Sequence, residues 1–298
     1  MTIGIVSPSS GARNDRLEKG IAILEAAGYR VSLGDHVFDR HGYLAGTDSA
    51  RAADFTDLFT RKDVDAVFCA RGGYGAARIM RLVEWDIVAR NPKLFVGYSD
   101  ITTIHLALER RSRLMSIYGP MVASLGAGLS ESCAGLFWKM VTSSELIGRI
   151  GASEGNIRTF VGGKVQGRLA GGCLALLAAA VGTPDAPDFN GRIVLLEDVD
   201  EAAYRADRYL MQLLHAGILE QAAGFVIGTV TDWEKQDKGP LGITLQHVWQ
   251  DIIAPLGKPT ILGFPCGHEP DPVTIPLGCL AELDADACAL TLLESAVR

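Results

Sequence analysis

The chain has no basic cluster, no long apolar run and no paired cysteine motif, and each absence removes a class of protein. Lys and Arg number 28 against 35 Asp and Glu, a formal net charge of -7 over 298 residues. Nucleic acids are recognised by clustered cations that displace phosphate counterions. The densest basic spot here, Arg110, Arg111 and Arg113, reads as a solvated helix end, so no nucleic-acid partner is expected. The longest apolar stretch, Cys173 to Val181, falls well short of the ~20 residues a membrane helix needs, and no membrane partner is expected. The first residues, Met1-Thr2-Ile3-Gly4-Ile5-Val6-Ser7-Pro8, carry no basic segment ahead of an apolar core. They read as a buried first strand and not a signal peptide, which makes the cytoplasm the expected compartment. The six cysteines (69, 133, 173, 266, 279 and 288) form no C-x-x-C pair and sit mostly among apolar neighbours, as buried free thiols do. Neither an H-E-x-x-H spacing nor a Walker lysine is found, and neither a metal nor a cofactor is expected.

What remains is an ordinary globular composition, 48% hydrophobic and 21% charged, at a length that predicts two domains. The N-terminal half alternates strand-like and helix-like runs: Thr2–Ser7, Asn14–Ala27, Tyr29–Leu33, Ser49–Thr60, Val64–Ala70, Ala76–Val83, Leu94–Gly97 and Asp100–Arg110. That order predicts a mostly parallel sheet with helices on both faces, an α/β fold. Between residues 126 and 163 the pattern weakens into polar, Gly-containing segments around a short helical piece at Ser132–Val141, and a linker is expected there. The boundaries are therefore placed at 1–125, 126–163 and 164–298. The second half shows strand candidates at Lys164–Leu169, Arg192–Leu196, Phe225–Val230 and Thr260–Phe264, with helices from Cys173, over Glu201–Ala216 and over Leu245–Ile253. A hairpin turning at Asp284-Ala285-Asp286 closes the chain.

Four runs carry residues fit for chemistry. In Leu94-Phe95-Val96-Gly97-Tyr98-Ser99-Asp100-Ile101, a buried strand enters a sharp turn at Ser99 and a helix follows at once. Free N–H groups and the helix dipole there favour developing negative charge, and the turn is similar to a nucleophile elbow. Gly97 stands two before Ser99, but Ile101 occupies the place of that motif's second glycine; an ordinary N-cap is the competing reading. In Ala70-Arg71-Gly72-Gly73-Tyr74-Gly75, glycines after a buried strand could bring N–H groups to an anion. Arg78 breaks the dinucleotide pattern G-x-G-x-x-G. An oxyanion hole from the amides of Gly73 and Asp100 fits better, and a tight turn alone is also sufficient. In Leu195-Leu196-Glu197-Asp198, Glu197 ends an apolar run directly, as the acid of a triad does; a helix-capping or solvated acidic turn is the competing reading. His268 lies in the Gly/Pro-rich loop Gly263-Phe264-Pro265-Cys266-Gly267-His268-Glu269-Pro270, where a rigid loop can hold a working residue and a solvent-exposed histidine is the competing reading.

Together and in this order, Arg71-Gly72-Gly73-Tyr74-Gly75, Gly97-Tyr98-Ser99-Asp100-Ile101-Thr102, Leu169-Ala170-Gly171-Gly172-Cys173, Leu196-Glu197-Asp198 with Glu201, and Gly267-His268 followed by Thr274-Ile275-Pro276-Leu277-Gly278 resemble the LD-carboxypeptidase family of serine peptidases. That family includes the microcin-immunity peptidases. The resemblance implies Ser99 as nucleophile, His268 as general base and acid, Glu197 as orienting carboxylate, and Gly73 and Asp100 as oxyanion donors. It implies a Rossmann-like N-terminal domain, similar to the class I amidotransferase fold, joined to a smaller α/β C-terminal domain with the site between them. A homodimer and no cofactor are implied as well. The implied substrate is a murein tetrapeptide, cut at the LD bond that releases terminal D-alanine during peptidoglycan recycling, with Arg71 a candidate counter-charge for the free carboxylate. The alternative is an amidase acting on an aminoacyl-nucleotide toxin, for which Trp138 or Trp233 would be the stacking aromatic. Cys173 departs from the pattern, since many relatives carry a polar residue such as Asn after the Gly-Gly pair.

Overall fold

The computed structural model describes residues 1–151, 157–233 and 242–297, and the chain divides into two compact units, Met1–Val141 and Thr142–Arg298. In the first unit the order is β1 (Thr2–Val6), α1 (Asn14–Ala26), β2 (Arg30–Leu33), α2 (Asp48–Thr60), β3 (Ala66–Cys69), α3 (Ala76–Ile79), α4 (Trp85–Arg90), β4 (Leu94–Gly97), α5 (Thr102–Ala107), β5 (Ser116–Tyr118), α6 (Val122–Ala127) and α7 (Glu131–Thr142). The five strands pair in parallel in the order β5-β4-β3-β1-β2. Every residue of β1 and β3 is buried, as a strand covered by helices on both faces requires. Helix α2 turns Phe55, Leu58 and Phe59 into the core. Phe55 meets Phe59, Trp85 and Phe95 at ring-centroid distances of 5.0, 5.9 and 5.7 Å, an aromatic cluster that locks helix to sheet. The sequence reverses direction across the sheet between β1 and β3, and ligands of open α/β sheets bind outside the strand carboxyl ends at such a switch point.

The second unit contains β6 (Arg149–Ile150), β7 (Arg158–Val161), β8 (Lys164–Cys173), α8 (Leu174–Ala179), β9 (Ile193–Val199), α9 (Ala203–His215), β10 (Gly224–Thr231), α10 (Leu245–Val248), β11 (Thr260–Phe264), β12 (Ile275–Leu277), β13 (Leu280–Asp284) and β14 (Ala289–Leu292). Its eight-stranded sheet runs β6-β14-β13-β8-β9-β10-β11-β7. A parallel centre, β8 to β11, is flanked by antiparallel strands on both sides. Helix α9 buries Ala203, Ala206, Leu210 and Leu213, one stripe at helical spacing.

Several elements differ from their sequence expectation. The helix expected over Ala76–Val83 is one turn, ending at Ile79, after which the Trp85 indole donates to the Met80 carbonyl at 2.9 Å. Strand β8 continues past Leu169 through the glycine pair, because β9 lies so close that a Cβ on Gly171 would overlap the Leu195 carbonyl oxygen. Residues 126–163 carry α7, β6 and β7 as well as connecting loops. The division at 141/142 gives β6 and β7 to the C-terminal unit, which holds the larger share of the chain. No helix among the described residues is long and apolar enough to cross a membrane.

Candidate active site

In the N-terminal unit, β4 ends at Gly97 and a single 3₁₀ turn, Ser99–Ile101, leads into α5. Ser99 has φ of 65°, the left-handed region that non-glycine residues seldom occupy. This is the strain expected of a serine presented on a sharp strand-to-helix turn. The competing N-cap reading requires Ser99 to sit in extended backbone and to accept from an amide of the following turn. Its left-handed φ departs from that geometry, and the extended residue is Tyr98, which makes no side-chain cap. Gly97 is bare because Ile101 is large: a Cβ there would come within 2.7 Å of Ile101 Cγ2. The missing second glycine of the elbow motif is thus compensated inside the turn.

Asp100 is buried and fastens the turn to its surroundings. Its carboxylate accepts from Ser9 Oγ at 2.6 Å and from the Ala76 amide at 2.8 Å. Burial pushes the Asp100 carboxyl up, and the Ser9 hydroxyl and the amides of Ala76 and Gly75 pull against that shift. The Gly-rich loop is strapped to the segment after β1. Ser10 N–H donates to the Gly72 carbonyl at 3.2 Å, Ser10 Oγ accepts from the Tyr74 amide at 3.0 Å, and Arg71 Nη1 donates to the Gly11 carbonyl at 3.1 Å. Gly73 has φ of 101°, and a Cβ there would lie 2.6 Å from Ser10 Oγ. Among the described residues, neither the Gly73 nor the Asp100 N–H donates to a protein acceptor. A Cβ on Gly72 would lie 3.0 Å from Ser99 Cβ, so this loop runs directly against the serine.

In the C-terminal unit, β9 delivers Glu197 and the loop after β11 delivers His268. Glu197 Oε2 accepts from His268 Nδ1 at 2.8 Å and from the His268 backbone amide at 3.3 Å. Gly267 makes this possible, because a Cβ on it would overlap the Glu197 carboxylate. With a proton on Nδ1 held by the carboxylate, the basic lone pair of neutral His268 lies on Nε2. Burial lowers the affinity of His268 for a second proton, but the hydrogen bond and charge of Glu197, with a further contribution from Asp198, raise it more; the net shift is upward. Asp198 is buried beside them. It accepts from the amides of Ala175 and Val199, both at 2.8 Å, and from the Cys173 thiol at 3.3 Å, and burial pushes its pKa up to about 6.

Residues 3–119 match the LD-carboxypeptidase N-terminal domain of the peptidase S66 family, and residues 166–283 match its C-terminal domain. A Bacillus subtilis relative named as a probable murein peptide carboxypeptidase is 34% identical over 288 residues, covering 95% of this chain and 88% of its own. The chain belongs to the LD-carboxypeptidase family. The crystal structure of muramoyltetrapeptide carboxypeptidase from Oxalobacter formigenes covers 98% of both chains at 31% identity with a TM-score of 0.83. The microcin C7 self-immunity protein matches at a TM-score of 0.90 over 100% of this chain and 97% of its own, at 22% identity, a likeness of fold.

Ser9, Ser10, His105 and Tyr118 brace the Ser99 turn or the Gly-rich loop of this LD-carboxypeptidase and are not among the site residues expected from the sequence. The run Ser7-Pro8-Ser9-Ser10 at the end of the first buried strand carried a usable signal, since polar residues at a strand's carboxyl end face the site. Tyr118 and His105 carried none, being an apolar-run tyrosine and a helical histidine. Trp138 stacks on Tyr29 at 5.8 Å with rings 8° from parallel, so one of its faces is occupied.

Proposed function

We propose that this LD-carboxypeptidase is a serine hydrolase that releases terminal D-alanine from murein tetrapeptides, with Ser99, His268 and Glu197 as its triad. The observation that carries the reading is the left-handed Ser99 at the head of a helix, against the Gly-rich loop, in a chain whose Glu197 and His268 are already paired at 2.8 Å. His268 Nε2 takes the proton from Ser99 Oγ as the oxygen attacks the carbonyl of the LD bond. The amides of Gly73 and Asp100 receive the oxyanion, and protonated His268 gives its proton to the departing amine of D-alanine. Water, deprotonated by the same imidazole, then attacks the acyl-enzyme; the tetrahedral adduct collapses, and His268 returns the proton to Ser99. Glu197 holds the tautomer throughout and stabilises the imidazolium without itself taking the proton. Arg71, exposed beside the Gly-rich loop, supplies the charge opposite the free carboxylate of D-alanine.

The test is D-alanine release from a murein tetrapeptide, read by mass spectrometry, with wild type and Ser99→Ala side by side and an acyl-sulfamoyl adenylate as second substrate. Wild type should release D-alanine and leave the nucleotide conjugate intact, and Ser99→Ala should lose about 10⁴-fold or more in turnover while still binding the peptide. Retained hydrolysis in Ser99→Ala overturns the triad; cleavage of the nucleotide conjugate alone overturns the substrate.

A further inference from the structure

The strained conformation of Ser99 must be held by something, since a left-handed serine costs about 1–3 kcal/mol unless its surroundings over-determine it. Two side chains that the reaction itself does not use grip the turn from either side. The Ser99 N–H donates to the Tyr118 hydroxyl at 3.2 Å. Tyr118 is only 1% exposed, lies opposite Gly97 in the parallel pairing of β4 with β5, and packs edge-on against Tyr98 with ring centroids 6.1 Å apart. On the other side, His105 Nε2 lies 2.9 Å from the Gly97 carbonyl and Nδ1 lies 2.7 Å from Ser116 Oγ. A carbonyl only accepts, so Nε2 carries the proton and Nδ1 accepts from the Ser116 hydroxyl. The His105 and Tyr118 rings sit 5.7 Å apart, and Ser116 and Tyr118 are the two ends of β5. The frame is therefore closed: β5 to His105 to the Gly97 carbonyl, then through the turn to Ser99 N–H and back to β5 through Tyr118.

We infer that Tyr118 is a positioning residue for the nucleophile, its hydroxyl fixing the Ser99 amide so that Oγ is presented by a turn that cannot relax toward negative φ. The same bond engages the serine's own N–H and leaves those of Gly73 and Asp100 as the donors for the oxyanion. The inference rests on the nucleophile assignment above. It also places the requirement on the phenolic oxygen and not on the ring, because the ring's packing survives in phenylalanine.

The experiment compares wild type, Tyr118→Phe and Ser116→Ala in two assays: the second-order rate of fluorophosphonate labelling at Ser99, mapped by peptide, and the kcat and KM for D-alanine release. Displacing a reacting atom by about 1 Å costs on the order of 100-fold, so Tyr118→Phe should lower the labelling rate and kcat together by about 10- to 100-fold, with KM kept within about twofold. Ser116→Ala, which releases His105 from the other side of the frame, should shift both in the same direction by a smaller factor. A melting curve on each variant separates this from loss of folded protein. Labelling and kcat within twofold of wild type in a folded Tyr118→Phe overturn the inference, as does a kcat loss matched by the loss of folded fraction. A wild type that hydrolyses the tetrapeptide yet labels elsewhere, or survives Ser99→Ala, overturns the nucleophile assignment itself and this inference with it.

Discussion

At the scale of single residues, the position before His268 admits only glycine because of the carboxylate packed against it. Gly267 has φ of 79°, and any Cβ on it would occupy the space of the Glu197 carboxylate. Gly267→Ala must either swing Glu197 away or move His268, and both break the 2.8 Å bond that fixes the imidazole tautomer. General-base catalysis of this kind is worth about 10²- to 10⁴-fold, so kcat/KM should fall within that range. The acidic limb of the pH–rate profile should also move to lower pH, because the raised pKa of His268 depends on Glu197. A profile that keeps its wild-type limb would show that the pair does not set the working protonation state. Arg71 gives a contrasting expectation. Its guanidinium is exposed and donates to the Gly11 carbonyl. Arg71→Met should raise KM about tenfold and leave kcat near wild type if the charge serves ground-state binding of the substrate carboxylate, which steady-state kinetics on the tetrapeptide reads directly.

At the scale of the element, the Ser99 turn is a packed unit in which Gly97 and Ile101 are complementary. Gly97→Ala pushes a methyl to within 2.7 Å of Ile101 Cγ2, and overpacking of this kind costs about 1–3 kcal/mol. Ile101→Ala leaves a cavity in a fully buried site, at about 2–5 kcal/mol. The double variant should be more stable than the sum of the two losses by at least about 1 kcal/mol, since the new methyl fills part of the space vacated; denaturant unfolding of the four proteins measures this, and strict additivity would refute it. The turn itself was legible in the sequence, because a buried β run, a glycine, a serine and a helical run in succession leave the chain few conformations. Ile101 in place of glycine looked like a weakness of the motif until the structure showed that Gly97 gives it room. The pairing of Glu197 with His268, 71 residues apart, was not written in either local run. It became an expectation only through the resemblance of the whole chain. The three-residue strand β5 was missed for a physical reason: Ser116–Tyr118 is too short to show a period, and its stability comes from pairing with β4. The strands β6 and β7 were missed similarly, as short polar runs that are extended because sheet edges receive them.

At the scale of the whole molecule, His105 in the N-terminal unit and Asp198 in the C-terminal unit carry proton linkage of opposite sign, while Asp100, raised by burial in the N-terminal unit, works against His105. His105 in the N-terminal unit is fully enclosed, and burial lowers its pKa to about 4. Its folded pKa lies below the ordinary value of 6.5, so the unfolded chain binds the extra proton between those limits. The stability associated with neutral His105 is complete above about pH 6.5 and is lost as pH falls toward 4. Asp198 in the C-terminal unit behaves in reverse. Its pKa is raised from 3.8 to about 6 by burial, so the folded unit binds the extra proton in that window and gains stability as the pH falls through it. The raised pKa of His268 acts in the same direction, its contribution being full at low pH and lost as pH rises through the folded value. For His105 and for Asp198 the change corresponds to about 3 kcal/mol each, enough to reorder which unit opens first. Hydrogen exchange read by peptide, corrected for the intrinsic rate and compared at pH 6.5 and 4.5, should show residues 1–141 losing protection relative to residues 142–297 on acidification. In His105→Gln the N-terminal loss should shrink, and in Asp198→Asn the relative gain of the C-terminal unit should shrink, each change being confined to the unit that carries the substitution. Equal loss of protection in both units of the wild type would show that these two buried groups do not govern the order of opening.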